Sequence, residues 1–248
     1  LADRVLPMLP RTLSNGICSL NAGEDRLALS CIMTLDEKGK IIGHTIAETV
    51  IRVSRRLSYT GVQKVLDGDP EEQALYPELV PMLLEMEKVS ALLRKRRRKR
   101  GSIDFDFPET KVVLDEKGHA VDIRPYERNA ATRLIEDFML AANETVAEDY
   151  YWQAQPFVYR VHEKPDADRM QKLGIFIRNF GYRLRTAGDE VHPGEIQKLL
   201  DRIAGTPEEA MLSRLTLRSM KRAQYATDCT GHFGLAASYY CHFTSPIR

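Results

Sequence analysis

The sequence predicts an α+β fold, and three observations carry that expectation. The first half holds two stretches rich in Val, Ile and Thr, each split by a turn reading "LDEKG" (35–39 and 114–118). The second half places apolar residues at helical spacing. Between them no segment is long or polar enough to divide the chain, so residues 1–248 are read as one domain.

Residues 1–25 carry two Pro and two Gly and read as an irregular loop with brief extended pieces. "RLALSCIMTLDEKGKIIGHTIAETVIRVSRRLSY" follows as a hairpin, its apolar residues partly alternating about the turn "DEKGK". "TKVVLDEKGHAVDIRPYE" repeats the device. The shared pentapeptide has no similarity around it and reads as one turn chemistry used twice, not as an internal repeat. "YTGVQKVLDG" and "YPELVPMLLEMEKVSALLRKRRRKR" read as helices, the second with Leu79, Met82, Leu83, Met86, Val89 and Leu93 near helical spacing. Pro77 and Pro81 suit its start. "NAATRLIEDFMLAANETVAEDYY" is expected to bury a stripe of Leu134, Ile135, Phe138, Met139 and Ala142. Further helices are expected at about 166–181, 193–204 and 207–223.

Composition is that of an ordinary globular chain, with 43% hydrophobic and 29% charged residues and a net charge of +1. That balance gives no global signal for nucleic acid, so any such reading must come from local features. Cys18, Cys31, Cys229 and Cys241 form no CxxC pair, which argues against structural zinc and for reduced thiols of a cytoplasmic protein. No apolar run of membrane-spanning length and no signal peptide is present. The first residue is Leu, not Met, so the amino end is expected to have lost residues.

Several local clusters admit two readings. "RKRRRKR" (94–100) is either a solvated helix end that suits the macrodipole or a phosphate contact. In "GSIDFDFPE", a strand would put Asp104 and Asp106 on one face, able to hold Mg²⁺, or simply give a strand with one wet and one packed face. Glu136 and Asn143, seven apart, can share a helix face, while Arg133 and Asp137 form an i, i+4 pair. Spacing alone makes Glu136 a surface acid and leaves His162 a polar joint. "HFTSPIR" gathers Thr244, Ser245 and Arg248 about a proline, either a surface turn or an oxyanion site.

Six segments together resemble the RNB catalytic domain of the ribonuclease II / ribonuclease R family. They are "LPRTLSNGICSLNAGEDRLALS", "RGSIDFDFPETK", "RLIEDFMLAANETVA", "PFVYRVHEKPD", "LRSMKRAQY" and "GHFGLAASYYCHFTSPIR", in the family's order. The closing segment looks more like the ribonuclease R branch. The resemblance implies a mixed α/β catalytic body flanked by OB-type RNA-binding domains. It implies hydrolysis of single-stranded RNA from the 3′ end, with release of nucleoside 5′-monophosphates. By position in the motifs, Arg248 would grip the phosphate beside the cleaved bond. Glu136 would accept from a ribose hydroxyl, and only RNA carries the 2′ donor. Tyr59 would pack at the channel's inner end, and Phe105 would stack on the last base. Ser245 would join the RNA-binding residues.

The family's Mg²⁺ cluster, D-x5-D-x-D-D, has no counterpart here, since no D-x-D-D occurs. The chain is therefore expected to be a partial RNB domain, cut at both ends and inactive alone, with the Mg²⁺ ligands elsewhere in its parent. The alternative is an RNA-binding pseudonuclease that keeps the fold without the cluster.

Overall fold

The computed structural model describes residues 6–104, 109–126, 128–186, 188 and 190–244. The chain falls into two compact units. One comprises Leu1–Ala91, Asp106–Met139 and Thr244–Arg248, the other Leu92–Phe105 and Leu140–Phe243. The boundary passes through two long helices.

In the first unit, β1 (Asp25–Leu35) pairs antiparallel with β2 (Ile41–Arg52), and β3 (Glu109–Leu114) with β4 (Ala120–Tyr126). The same turn chemistry closes both. The Asp36 carboxylate accepts from the N–H groups of Lys38 and Lys40 at 2.9 and 2.8 Å, and Asp115 accepts from Lys117 and His119 at the same two distances. Each Asp thereby satisfies donors that the turn would leave open. Before the first hairpin, Thr12–Ile17 forms a wide helical turn broken at Gly16, more order than the irregular loop expected there.

Helix α1 (Tyr59–Leu66) starts where the Ser58 hydroxyl accepts from Gly61 N–H at 3.0 Å. The short α2 (Pro70–Leu75), not expected from periodicity, rests on its cap. Asp69 accepts from Glu71 and Glu72, and Pro70 occupies the first turn. The side chain of Gln73 then ties α2 to the Val65 carbonyl of α1 at 3.0 Å. Helix α3 (Val80–Arg100) opens just before Pro81. Helix α4 (Ala130–Trp152) is capped by Asn129, whose side chain accepts from Thr132 N–H at 3.0 Å. Val65, Leu83, Ala131 and Leu134 are buried in this unit.

The second unit is helical. Its core joins α5 (Ala167–Arg178), α6 (Pro193–Ile203) and α7 (Glu209–Ser219). Helix α6 shows why. Ile196, Leu199, Leu200 and Ile203 recur at i, i+3, i+4 and i+7, and all four are buried. Each such side chain contributes about 1.5–3 kcal/mol on burial. Helix α7 ends at Ser219, earlier than expected, because the chain goes extended at Met220 and leads into β6 (Gln224–Ala226). Strand β6 pairs with β5 (Tyr159–Val161). The end of α3 is fixed at Gly101, which has a φ of 100°. A Cβ there would lie 2.9 Å from the His192 ring and 3.0 Å from the Gly194 backbone. Among the described residues, no helix is long and apolar enough to cross a membrane.

Candidate functional site

Two of the five expected site residues, Tyr59 and Glu136, are described, and both belong to the first unit. Phe105, Ser245 and Arg248 lie outside the described residues.

Tyr59 opens α1, held there by the Ser58 cap, and is 43% exposed. It lines a groove of about 700 Å³ together with Arg56, Met82 and Met86, and with Leu134 and Ile135 of α4. The groove is apolar except for Arg56, Ser58 and the two tyrosines, Tyr59 and Tyr76. It suits a flat ring with a charge at one edge. The 40% exposure of Ile135 corrects the expected stripe, in which Ile135 was to be buried beside Leu134. One side of α4 thus turns Ile135 toward the groove instead of into the core.

Glu136 follows Ile135 but is not a simple surface acid. Its Oε2 accepts from Arg128 at 2.5 Å, with the two side chains 40% and 23% exposed. Its Oε1 has no partner among the described residues. A half-buried carboxylate with one oxygen anchored and one open is placed to accept a hydroxyl in a fixed direction. The Asn129 cap puts Arg128 just outside the helix, from where it can reach back. The cap was readable in "RNAAT"; the ion pair was not.

Asp137, expected to pair with Arg133 along the helix, is only 1% exposed and accepts from the buried Ser90 hydroxyl at 2.7 Å. Asn143, expected to share a face with Glu136, is 2% exposed in the second unit. There its amide donates to the Tyr240 hydroxyl at 3.3 Å, and the Cys241 thiol donates to its carbonyl at 3.3 Å.

His162, expected as a polar joint, is a buried wedge. Its Nδ1 accepts from Gly234 N–H at 3.2 Å, and its ring meets that of His232 at 5.1 Å. His232 in turn packs on Tyr240. Burial pushes the His162 imidazole below its ordinary value. Burial, with His162 nearby, pushes His232 down to about 3. Both rings are neutral near pH 7 and hold the "GHFG" segment against β5; neither is poised to supply a proton.

The basic run forms the last turns of α3 and is partly engaged. Arg100 makes a two-pronged pair with Glu144 at 2.6 and 2.8 Å, and Arg98 meets Asp201 at 3.0 Å. Asp104 lies outside any strand, exposed, with its N–H donating to Gln197 at 2.6 Å, so the expected strand does not include it. Asp106 lies outside the described residues. Among the described residues no group of three or more His, Cys, Asp or Glu is placed to hold a metal ion.

Comparison with known proteins agrees with this fold. The family model for the RNB domain matches residues 1–248. Ribonuclease R of Thermotoga maritima is 44% identical over 249 residues, covering 100% of this chain and 35% of that protein. The chain spans about a third of the length of the curated relatives it matches. Among solved structures, Mycoplasma genitalium RNase R in complex with ribose methylated single-stranded RNA superposes with a TM-score of 0.87 at 31% identity. That match covers 98% of this chain and 38% of the other. Yeast Ssd1, a pseudonuclease, shares the fold with a TM-score of 0.71 at 22% identity, covering 100% of this chain and 30% of the other.

Proposed function

The chain belongs to the RNB-domain family, and on that premise we propose that it is part of a hydrolytic exoribonuclease. This enzyme takes single-stranded RNA from its 3′ end and releases nucleoside 5′-monophosphates one at a time. The observation that carries the reading is the match along residues 1–248, with relatives named ribonuclease R at 44% identity and below. The open oxygen of Glu136 supports it from the structure.

In this reading Glu136 accepts from a ribose hydroxyl through Oε1 while Arg128 holds Oε2 and fixes the carboxylate's direction. The 2′-OH is the donor that separates RNA from DNA. Tyr59 supplies a ring at the end of the strand's path, and Phe105 stacks on a base of any identity. Arg248 grips the phosphate at the scissile bond with a planar fork that Lys lacks, and Ser245 adds a hydroxyl beside it. Mg²⁺ would supply an activated water to the longer protein. Its ligands are proposed to lie outside these 248 residues. OB-type domains flanking the catalytic body in the longer protein, and a cytoplasmic location, are part of the same proposal.

The pseudonuclease alternative has less support. The ribonuclease R relatives are about twice as similar in sequence as yeast Ssd1, whose likeness is one of fold. The deciding experiment incubates the full-length protein carrying this chain with RNA labelled at the 5′ or the 3′ end. Early release of 5′-mononucleotide from the 3′ label, with the 5′ label shortening stepwise, is expected. Internal fragments, 3′-monophosphates or binding without products would overturn the reading.

A further inference from the structure

The three helices of the second unit carry charge in a pattern that the site above does not use. Between Ala167 and Ser219 there are nine Lys and Arg. All nine line one of two grooves bordered by α5. The same stretch has seven Asp and Glu, and among the described residues only Glu195 joins them there. A merely solvated face would intersperse the signs; here they are sorted.

The first groove, of about 910 Å³, lies between the end of α5, residues 181–185 and α6. Its cations are Arg178, Arg183, Arg185, Lys198 and Arg202. Glu195 pairs with Lys198 at 2.6 Å, leaving the other four without a carboxylate partner among the described residues. Arg202 is held over the Tyr182 ring at 5.2 Å, and the Tyr182 hydroxyl donates to Glu208 at 2.7 Å, so this guanidinium is positioned and not free-swinging. The Glu195 carboxyl is held below its ordinary value by Lys198 first, with Arg185 and His192 acting the same way, as a positive cleft requires.

The second groove, of about 830 Å³, lies between α5 and α7. Lys172, Arg214 and Arg218 line it without carboxylate partners among the described residues, while Arg169 meets Asp166 at 3.4 Å. Its floor differs from that of the first. Phe176 is 38% exposed and Met211 45% exposed. A cationic wall beside an exposed aromatic ring is the combination that holds a single strand, phosphates on the cations and a base on the ring. Arg178 and Arg218 also suit the helix ends they occupy. That role does not account for Arg183, Arg185 or Arg214, nor for the exclusion of acids.

We propose that these two grooves bind single-stranded RNA, the first through its phosphate backbone alone and the second through phosphates together with a base stacked on Phe176. RNA as the polyanion rests on the proposed function; the grooves and their charge do not. Seven cations without carboxylate partners among the described residues, facing two clefts, concentrate a polyanion and make its binding salt-dependent.

The test measures fluorescence anisotropy of a labelled oligo(A) on the 248-residue chain without divalent metal, from low to moderate salt. One variant carries Arg178→Gln, Arg183→Gln and Arg185→Gln. A second carries Lys172→Gln, Arg214→Gln and Arg218→Gln. A control replaces Lys38, Lys40 and Lys117, at the hairpin turns, with Gln. Circular dichroism verifies the fold of each. Each groove variant should bind more weakly, with a log–log salt slope smaller by about 2, since each phosphate neutralised on a single strand is worth about 0.7. The control should match the unmutated chain. Phe176→Ala should weaken binding by about tenfold with the slope unchanged. Folded groove variants with unaltered affinity and slope would overturn the proposal, as would an equal loss in the control. The readout is binding, so a longer protein that failed to hydrolyse RNA would sink the proposed function and leave this result standing.

Discussion

The Ser90 hydroxyl donates to the Asp137 carboxylate at 2.7 Å, and both residues are buried, 47 positions apart in sequence. Removing either leaves a desolvated polar group with a missing partner. Ser90→Ala is expected to cost about 1.5–3 kcal/mol, the range for a hydrogen bond to a charged group. Asp137→Ala should cost at least as much, and the double variant less than the sum of the two. Urea denaturation of the four proteins checks this, and strict additivity would show that the bond does not couple them.

Glu136→Ala should reduce the preference for ribose. In the full-length protein, a deoxyribose opposite Glu136 leaves a carboxylate oxygen unmet, at about 1.5–3 kcal/mol, or about ten to a hundredfold. The variant loses that discrimination. The ratio of degradation rates on matched ribo- and deoxyribo-oligomers should fall accordingly. Glu148→Ala, an exposed acid on the same helix, should leave it unchanged. Asp137 is unsuitable as the control, because its burial makes any substitution a stability change.

Arg248→Ala in the full-length protein should slow single-turnover hydrolysis by about a hundredfold to a thousandfold, the worth of a positioned donor at a reacting centre. RNA affinity should change little, since many other contacts hold the strand. A rate within a few-fold of the unmutated protein would remove Arg248 from the reaction centre.

Stability should fall below neutral pH through the imidazole pair. The folded His232 sits at about 3, below its ordinary 6.5, because burial disfavours the charged ring. Above 6.5 both folded and unfolded states hold it neutral, and its contribution is complete. As pH falls from 6.5 toward 3, the unfolded chain takes up a proton that the folded one refuses. Stability then declines by up to about 1.4 kcal/mol per pH unit. His162, shifted the same way, adds to the trend. The urea midpoint should drop between pH 7 and pH 5, and His232→Asn, which keeps an acceptor for Leu235 N–H, should flatten that drop.

The 248 residues alone, given Mg²⁺ and labelled poly(A), should release no mononucleotide. No described cluster can hold the metal and no D-x-D-D occurs in the sequence. Steady mononucleotide release would require ligands among these residues and would redirect attention to Asp104 and Asp106.

What the sequence disclosed and what it hid divide along physical lines. The hairpins were legible because Asp36 and Asp115 act on donors two and four residues ahead, within the span of one turn. The helices were legible from apolar spacing, as in α6. Hidden were the polar residues inside α4. Asp137 and Asn143 count as surface residues in any periodicity argument, and their burial depends on Ser90 and Tyr240, far away in the chain. The short α2 lacked the length to show a period, though Asp69 and Pro70 announced its start. Within the candidate site, motif position pointed to Glu136 and Tyr59, but the Arg128 anchor and the groove shared with Ile135 needed coordinates.

The close packing of Gly101 against Gly194 sets how the chain can drift over evolutionary time. At Gly118, also left-handed, nothing lies within 4 Å of an added Cβ, so only backbone preference resists exchange and Asn is an accessible replacement. At Gly101 the backbone preference and the His192 ring act together, and no alternative residue relieves both. Lineages can therefore vary the hairpin turn freely. The residue that ends the basic helix is confined to glycine on both counts, whereas a Cβ on Gly194 would meet Gly101 only at an ordinary contact distance of 3.4 Å.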